Sequence, residues 1–113
     1  MTETLENYWS ARLQARDWIL ALREKPREVL GSTFVLWRLS ELQERMEQAT
    51  GARGVHAHAL ARMLKAAGFN KASNGAGVRT VDGQARLWIL RPGVMMTHEQ
   101  AAQLYDRERE AMI

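Results

Sequence analysis

The chain has 113 residues, of which 46% are hydrophobic and 26% are charged, as expected for a single globular domain. It has no cysteine, which excludes a disulfide framework and a thiolate metal site and fits a reducing, cytoplasmic environment. No apolar run approaches about 20 residues and nothing at the N-terminus resembles a signal peptide, so we expect no membrane partner.

The formal net charge is +3, but the positive charges are concentrated in the middle of the chain. Residues 51–92 contain seven Lys or Arg and one acid, Asp82, so this segment carries +6, whereas residues 1–50 carry −1 and residues 93–113 carry −2. These cations fall on a helix and a hairpin that are adjacent in sequence. The distribution therefore favours a nucleic-acid partner, with an ordinary solvated face as the alternative.

Residues 3–24 are rich in strong helix formers and predict a helix that ends before Pro26, followed by a loop through residue 32. The apolar positions of this helix do not form one stripe, and Trp9 and Trp18 fall on different faces. We therefore expect the helix to need a second surface beyond its own core, on a partner protein or on another copy of the chain.

The segment TFVLWRL, residues 33–39, is rich in β-branched and aromatic residues and predicts a short strand. Ser40 followed by Gln43 is a capping-box pattern, which predicts a helix that begins near Glu41 and ends at Gly51. Apolar residues at spacings of four and three predict its inner face: Leu42, Met46 and Ala49.

Residues 56–67 predict a third helix, which Gly68 closes and after which Phe69 folds back onto the core. Its buried stripe is predicted by apolar residues at helical spacing: Val55, Ala59, Leu60, Met63, Leu64 and Ala67. Its opposite face carries small residues and cations: Ala57, His58, Ala61, Arg62 and Lys65.

Residues 70–77 predict a loop or a frayed strand start, and the segments GVRTV and QARLWIL then flank Asp82-Gly83, a strong signal for a two-residue hairpin turn. In the second arm, Ala85, Leu87 and Ile89 alternate with Arg86, Trp88 and Leu90. We expect one of these two faces to meet the core and the other, which starts with Arg86, to be mixed in character. Thr97 with Gln100 is a second capping box, which predicts a last helix to about Arg109.

This order of elements predicts an α+β fold with a helical core, a small antiparallel sheet and an additional N-terminal helix. Its middle part is typical of a winged helix-turn-helix, so we expect an N-terminal helix and loop over residues 1–32 and a winged domain over residues 33–110. In such a domain the helix at about 56–67 enters the DNA major groove, and the hairpin at about 76–91 is the wing that touches backbone or minor groove.

The candidate DNA-binding residues lie on this helix, on the turn before it and on the hairpin. Arg62 is predicted to reach a base edge and Lys65 a phosphate, while His56 lies in the first helical turn, where free N–H groups favour phosphate. Duplex DNA is favoured over single strands, and about four neutralised phosphates predict a slope near −4 of log K against log salt. The full set is Arg53, His56, His58, Arg62, Lys65, Lys71, Arg79 and Arg86.

Two aromatic residues and two histidines have competing interpretations. Trp37 and Trp88 are predicted to be core residues, with stacking on single-stranded bases as the alternative. His56 and His58 are two residues apart on a helix, where their side chains point about 200° apart and cannot bind one ion. We expect no metal site.

No catalytic pattern is present. The segment NGAG lacks the lysine of a phosphate-binding loop, and the acids are predicted to lie on exposed helix faces rather than in a pocket. We therefore expect no enzymatic activity and no cofactor.

The run ALARMLKAAGF…VRTVDGQARLWILRP, with AAQLYDRERE after it, resembles the C-terminal winged-helix segment of phage and prophage primase–helicase replication proteins over about residues 33–110. In that family a helix ending in Ala-Gly-Phe precedes a basic hairpin with an Arg-Leu-Trp type strand. The resemblance implies a DNA-binding appendage in phage or mobile-element replication, partnered by a replicative helicase or primase. It assigns DNA contacts to Arg62, Lys65, Arg79 and Arg86.

Two features depart from that family. The helix begins with His56, where such helices often begin with Ser or Thr. The length leaves no room for an ATPase or primase module, so we expect either an excised domain or a small stand-alone relative.

Two other functions stay open. A protein-interaction module of a replication complex would dock through the first helix with Trp9 and Trp18. A small transcriptional regulator would bind an operator as a homodimer, for which the N-terminal helix offers a surface.

Overall fold

The computed structural model describes the backbone of residues 2–110 and the side chains of residues 9–110. This part of the chain has an α+β fold, as predicted, with five α-helices and two small antiparallel sheets. The helices are α1 (Thr2–Glu24), α2 (Pro26–Leu30), α3 (Leu39–Thr50), α4 (Ala57–Ala66) and α5 (His98–Glu110). The strands are β1 (Leu36–Arg38), β2 (Asn70–Lys71), β3 (Val78–Thr80), β4 (Gly83–Ala85) and β5 (Leu87–Ile89). None of these helices combines the length and the apolar character needed to cross a bilayer.

The hairpin is long and is divided into two parts. Near the core, β5 pairs with β1 on one side and with β2 on the other, whereas β3 and β4 pair with each other further out. A 3₁₀ turn over Ala72–Gly75 separates β2 from β3 and adds four residues to the first arm. The segment 70–77, predicted as a loop or a frayed strand start, is therefore a two-residue strand followed by this turn.

The inner sheet is covered on both faces. On one face Leu36, Leu87 and Ile89 pack with Ala101 and Tyr105 of α5. Because Leu36, Leu87 and Ile89 are all apolar, the apolar side of α5 packs against this face of the sheet.

The other face of the sheet carries Trp37 and Trp88, which pack into a cluster with the inner sides of α1, α3 and α4. The two indoles are 3% and 2% exposed, which confirms them as core residues. Helix α1 contributes Trp18 and Leu22 to the same cluster, so it shares one core with α3 and α4.

The starts of two helices differ from the prediction, each for its own reason. The Glu41 carboxylate accepts the Arg38 backbone N–H at 2.9 Å, so α3 begins two residues earlier than the Ser40–Gln43 pattern predicts. Pro26 begins α2 instead of a loop, because its fixed φ suits the first position of a helix. The predicted inner-face residue Ala49 is exposed.

The other predicted caps are present. Thr97 and Gln100 form the predicted box, with the Thr97 N–H donating to Gln100 Oε1 at 3.0 Å and the Gln100 N–H donating to Thr97 Oγ1 at 3.3 Å. Gly51 ends α3 in the left-handed region, at φ +72°.

The hairpin turn lies one residue before the predicted position. Thr80 pairs with Gly83, so Val81 and Asp82 are the turn residues. Thr80 Oγ1 donates to the Gly83 carbonyl at 2.6 Å and accepts the Asp82 N–H at 3.1 Å, and Gly83 has φ +96°, where glycine is favoured. The hydroxyl of Thr80 therefore helps to set the turn.

The C-terminal end of α5 covers the edge of β1. The Glu108 carboxylate accepts the backbone N–H groups of Val35 at 2.6 Å and Leu36 at 3.2 Å. Its side chain is only 10% exposed, so the prediction that the acids of the last helix lie on an exposed face is wrong here. The strand predicted over 33–39 is shorter in the structure and covers Leu36–Arg38. At its start the Glu108 carboxylate, and not a neighbouring strand, accepts the backbone N–H groups.

Candidate functional site

Helix α4 presents its basic face because its apolar face is fully used. Leu60 and Leu64 are 0% exposed, and Val55 before the helix is 3% exposed. Beyond its C-terminal end, the Phe69 N–H donates to the Leu64 carbonyl at 3.1 Å, and Phe69 itself is 1% exposed, as predicted. This anchoring at both ends fixes which side of α4 faces solvent.

The outward face of α4 carries His58, Arg62 and Lys65, all three exposed. Their i, i+4, i+7 spacing places them in one row along the helix. Among residues 9–110, no carboxylate forms an ion pair with Arg62 or Lys65. The row is therefore available to an external anion.

A groove of about 460 Å³ lies between this row and the start of the hairpin. Its cationic lining comes from both sides, with Arg62 and Lys65 on α4 and Lys71 on β2, and the imidazole of His58 lies beside them. Within the part of the chain whose side chains are described, no Asp or Glu lines it. Two neighbouring elements thus bring their cations together around one concave surface.

The position of Lys71 is set by the sheet. Lys71 lies opposite Trp88 in the β2–β5 register, and its Nζ is 5.3 Å from the Trp88 ring centroid. The indole is the buried floor beneath this ammonium, since Trp88 is 2% exposed. The attraction between the ammonium and the ring face fixes where the charge of Lys71 stands in the groove.

The rest of the groove is apolar or amide-bearing. Ala61, Phe69 and Met95 add apolar lining, and Met95 is 60% exposed. Asn70 and Asn74 add carboxamides. The groove therefore combines a basic rim, an apolar floor and neutral hydrogen-bonding groups.

The remaining hairpin cations lie on the side of the hairpin that faces away from α5. Val78 and Ala85 pair with each other and belong to the cluster against α5. Alternation then places Arg86 on the same face as Trp88, and Arg79 faces away from α5 as well. Both are exposed, but neither lines the groove.

The two predicted residues before α4 lie outside the groove. Arg53 forms an ion pair with Glu47 at 2.5 Å, so its charge is already matched. His56 is the residue before the first turn of α4, not within that turn as predicted, and its side chain makes no capping hydrogen bond. Of the eight predicted residues, the groove brings together His58, Arg62, Lys65 and Lys71.

Four groove residues have no role predicted from the sequence: Asn70, Asn74, Gly75 and Met95. The Asn- and Gly-containing run 70–77 has the composition of a turn, so nothing in its sequence indicates that Asn70 and Asn74 line a groove. Met95 has no local signal at all, because it reaches the groove from the loop after β5.

The tip of the hairpin is fastened to α5. The Tyr105 hydroxyl donates to Asp82 Oδ2 at 3.0 Å, and Asp106 Oδ1 accepts the Val81 N–H at 2.8 Å. Burial raises the pKa of Tyr105, and the hydrogen bond to Asp82 raises it further. The one acid of the basic segment is therefore engaged with α5 and not with the groove.

Helix α1 exposes a second feature, an apolar stripe on its outer side. Trp9, Leu13 and Leu20 are 57%, 58% and 48% exposed and recur at helical spacing. Trp18, in contrast, is 6% exposed, so the prediction that it docks on a partner is wrong. The stripe lies opposite the face that packs into the core.

Comparison of the chain with family models, with curated proteins and with solved structures gives no match.

Proposed function

We propose that the chain is a DNA-binding module of the winged helix-turn-helix type, with α4 as its recognition helix and the hairpin of residues 70–90 as its wing. The order β1, α3, α4 and hairpin supports this reading. The three-stranded antiparallel sheet in which β1 pairs with the second arm of the hairpin supports it too.

The observation that carries the proposal is the convergence of cations from α4 and β2 around a groove that none of the described acids lines. A polyanion is bound by such a surface because several phosphates can be neutralised at once. A merely solvated face would be expected to mix Lys and Arg with Asp and Glu, as α3 does.

Within this proposal α4 lies in the major groove of a duplex. Ala57 and Ala61 on its outer side keep side chains short, so the helix backbone approaches the bases closely. Arg62 reaches a base edge, where its guanidinium can form a bidentate hydrogen bond with guanine. Lys65 contacts a phosphate. The DNA backbone is contacted by the cations of the wing: Lys71, Arg79 and Arg86.

The biological setting we propose is replication of a phage or mobile element, in association with a replicative helicase or primase. The support is the resemblance carried by the Ala-Gly-Phe end of α4 and the Arg-Leu-Trp strand. In the structure these two motifs are adjacent, since Phe69 and Trp88 both line the groove.

A second candidate function is protein interaction through α1. The observation that favours it is the exposed stripe of Trp9, Leu13 and Leu20. A partner protein, or a second copy of the chain in a dimeric transcriptional regulator, would cover it. This function is compatible with DNA binding because the stripe and the groove involve different residues.

The test is fluorescence anisotropy of a labelled 20-base-pair duplex titrated with the chain at several salt concentrations. With four phosphate contacts, the logarithm of the binding constant should fall with the logarithm of the salt concentration with a slope of about −4. Absence of binding at low salt would refute the proposal, and light scattering on the same sample gives the oligomeric state.

A further inference from the structure

We propose that the groove holds one unpaired nucleotide of a DNA strand, next to the duplex that α4 binds. The inference rests on the proposed function and adds the class of DNA: a duplex with a single-stranded end or flap. It gives a role to the groove residues that duplex binding leaves without one, Asn70, Asn74 and Met95, beside the cations Arg62, Lys65 and Lys71, which duplex binding shares.

The first argument is shape. A volume of about 460 Å³ lies within the range of roughly 300–1,000 Å³ that is usual for small-molecule pockets. A phosphate backbone needs a basic surface but no cavity, because it is contacted from outside. The open groove beside α4 therefore has room for a group of nucleotide size that leaves the base stack.

The second argument is the order of chemical groups across the groove. Arg62, Lys65 and Lys71 form the basic part, and Ala61 and Met95 form apolar walls. A nucleotide has the same order, with a phosphate at one end and a flat base at the other. The aromatic lining residues Phe69 and Trp88 are only 1% and 2% exposed, so contact with the flat face of a base, which every base has, falls to Met95 and Ala61.

The third argument is the pair of carboxamides. Asn70 Nδ2 donates to the Val94 carbonyl at 3.3 Å, which fixes the orientation of the Asn70 side chain. Asn74 stands on the 3₁₀ turn at φ +53°, a conformation that Asn tolerates better than most residues. Carboxamides are the side chains that hydrogen-bond base edges, whereas phosphate is satisfied by the cations already present.

The 3₁₀ turn explains why the hairpin is divided. Its four added residues, Ala72–Gly75, bring Asn74 and Gly75 to the groove wall. The Ser73 N–H donates to the Met96 carbonyl at 2.9 Å, so the turn is also held by the loop that carries Met95. The insertion thus builds one side of the cavity.

The experiment compares four labelled DNA molecules by anisotropy: a blunt duplex, the same duplex with a five-nucleotide overhang, the duplex with an abasic overhang, and the single strand alone. The abasic overhang keeps every phosphate and removes the bases. We expect the base-bearing overhang to bind at least about fivefold more tightly than both the blunt duplex and the abasic one. Equal affinity for base-bearing and abasic overhangs would overturn the inference.

The matched variants are Asn74→Gly and Arg86→Gln. Glycine accepts the positive φ of position 74, so the turn is kept while the carboxamide is lost. Asn74→Gly should reduce the preference for the overhang and leave blunt-duplex affinity unchanged. Arg86→Gln, which lies outside the groove, should lower both affinities together and leave the preference unchanged.

A free nucleotide carries the same chemistry, so a further titration uses deoxyadenosine monophosphate as competitor. If it removes the overhang preference only at millimolar concentration, the DNA strand is the source. If it binds more tightly than the overhang does, the assignment to DNA is overturned. Binding of blunt duplex without any overhang preference would refute this inference alone, whereas loss of all DNA binding would refute the proposed function as well.

Discussion

The Tyr105 hydroxyl donates a 3.0 Å hydrogen bond to the Asp82 carboxylate, and thereby joins α5 to the tip of a hairpin 23 residues away in sequence. The bond orders the hairpin and turns its acid away from the groove. It is supported by Asp106, which accepts the Val81 N–H beside it. The tip is therefore a fixed part of the fold and not a free loop.

Tyr105→Phe removes this hydroxyl and keeps the ring. We expect the free energy of unfolding to fall by about 1 kcal/mol at pH 7, the usual value of one hydrogen bond. Urea denaturation measures it, with Val81→Ala as the control, since Val81 is 65% exposed.

The same pair predicts a dependence on alkaline pH. Folding raises the pKa of Tyr105 above its ordinary value of about 10, so its contribution to stability is complete below pH 10 and is lost as the pH rises through the raised value. The stability difference between wild type and Tyr105→Phe should therefore shrink above pH 10. A difference that stays constant up to pH 11 would contradict this.

Arg109 holds the end of α5 against β1. Its guanidinium donates to the Leu36 carbonyl at 2.8 Å, pairs with Glu41 at 3.2 Å, and lies 4.4 Å from the ring centroid of Tyr105. The side chain is only 10% exposed, so Arg109→Met should cost about 2–3 kcal/mol by leaving these groups unpaired. Arg107→Met, on the exposed side of the same helix, should change stability by less than about 0.5 kcal/mol. Equal effects of the two variants in urea would show that the contact is not formed.

Two leucines of α1 test which side of this helix is core. Leu22 is 0% exposed and Leu13 is 58% exposed. Leu22→Ala should destabilise by about 2–5 kcal/mol, whereas Leu13→Ala should be nearly neutral. Thermal unfolding followed by circular dichroism measures the stability of each variant. A large loss of stability for Leu13→Ala would contradict the prediction and would mean that this face of α1 is covered, as in a dimer.

The parts of the fold that follow from local sequence are those set by neighbours in the chain. The stripe of Leu60 and Leu64, the Gly68-Phe69 ending and the Thr97–Gln100 cap each involve residues within a few positions of one another. The row His58, Arg62, Lys65 follows from the same local rule. The Ser40–Gln43 pattern predicts the wrong start for α3, because Glu41 instead accepts the Arg38 N–H and the helix begins at Leu39.

The parts that the sequence did not reveal depend on distant residues. Glu108 looks like one more surface acid of α5, and only the meeting of α5 with the edge of β1 gives it two N–H donors. Lys71 looks like a loop lysine until the strand register sets it over Trp88. The apolar residues of α1 are ambiguous for the same reason. Trp9 and Trp18 are the same residue type on one helix, and only the packing of α1 against α3 and α4 buries Trp18 and leaves Trp9 exposed.

The measurement that tests the account most directly is duplex binding by the double variant Arg62→Ala, Lys65→Ala against the double variant Arg16→Ala, Arg107→Ala. Both remove two exposed cations, so the net charge is equal, but Arg16 and Arg107 lie outside the groove. The account predicts that the groove pair nearly abolishes binding and lowers the steepness of the salt dependence by about 1.8, while the control pair binds close to wild type and both remain folded. Equal binding by the two double variants would contradict it.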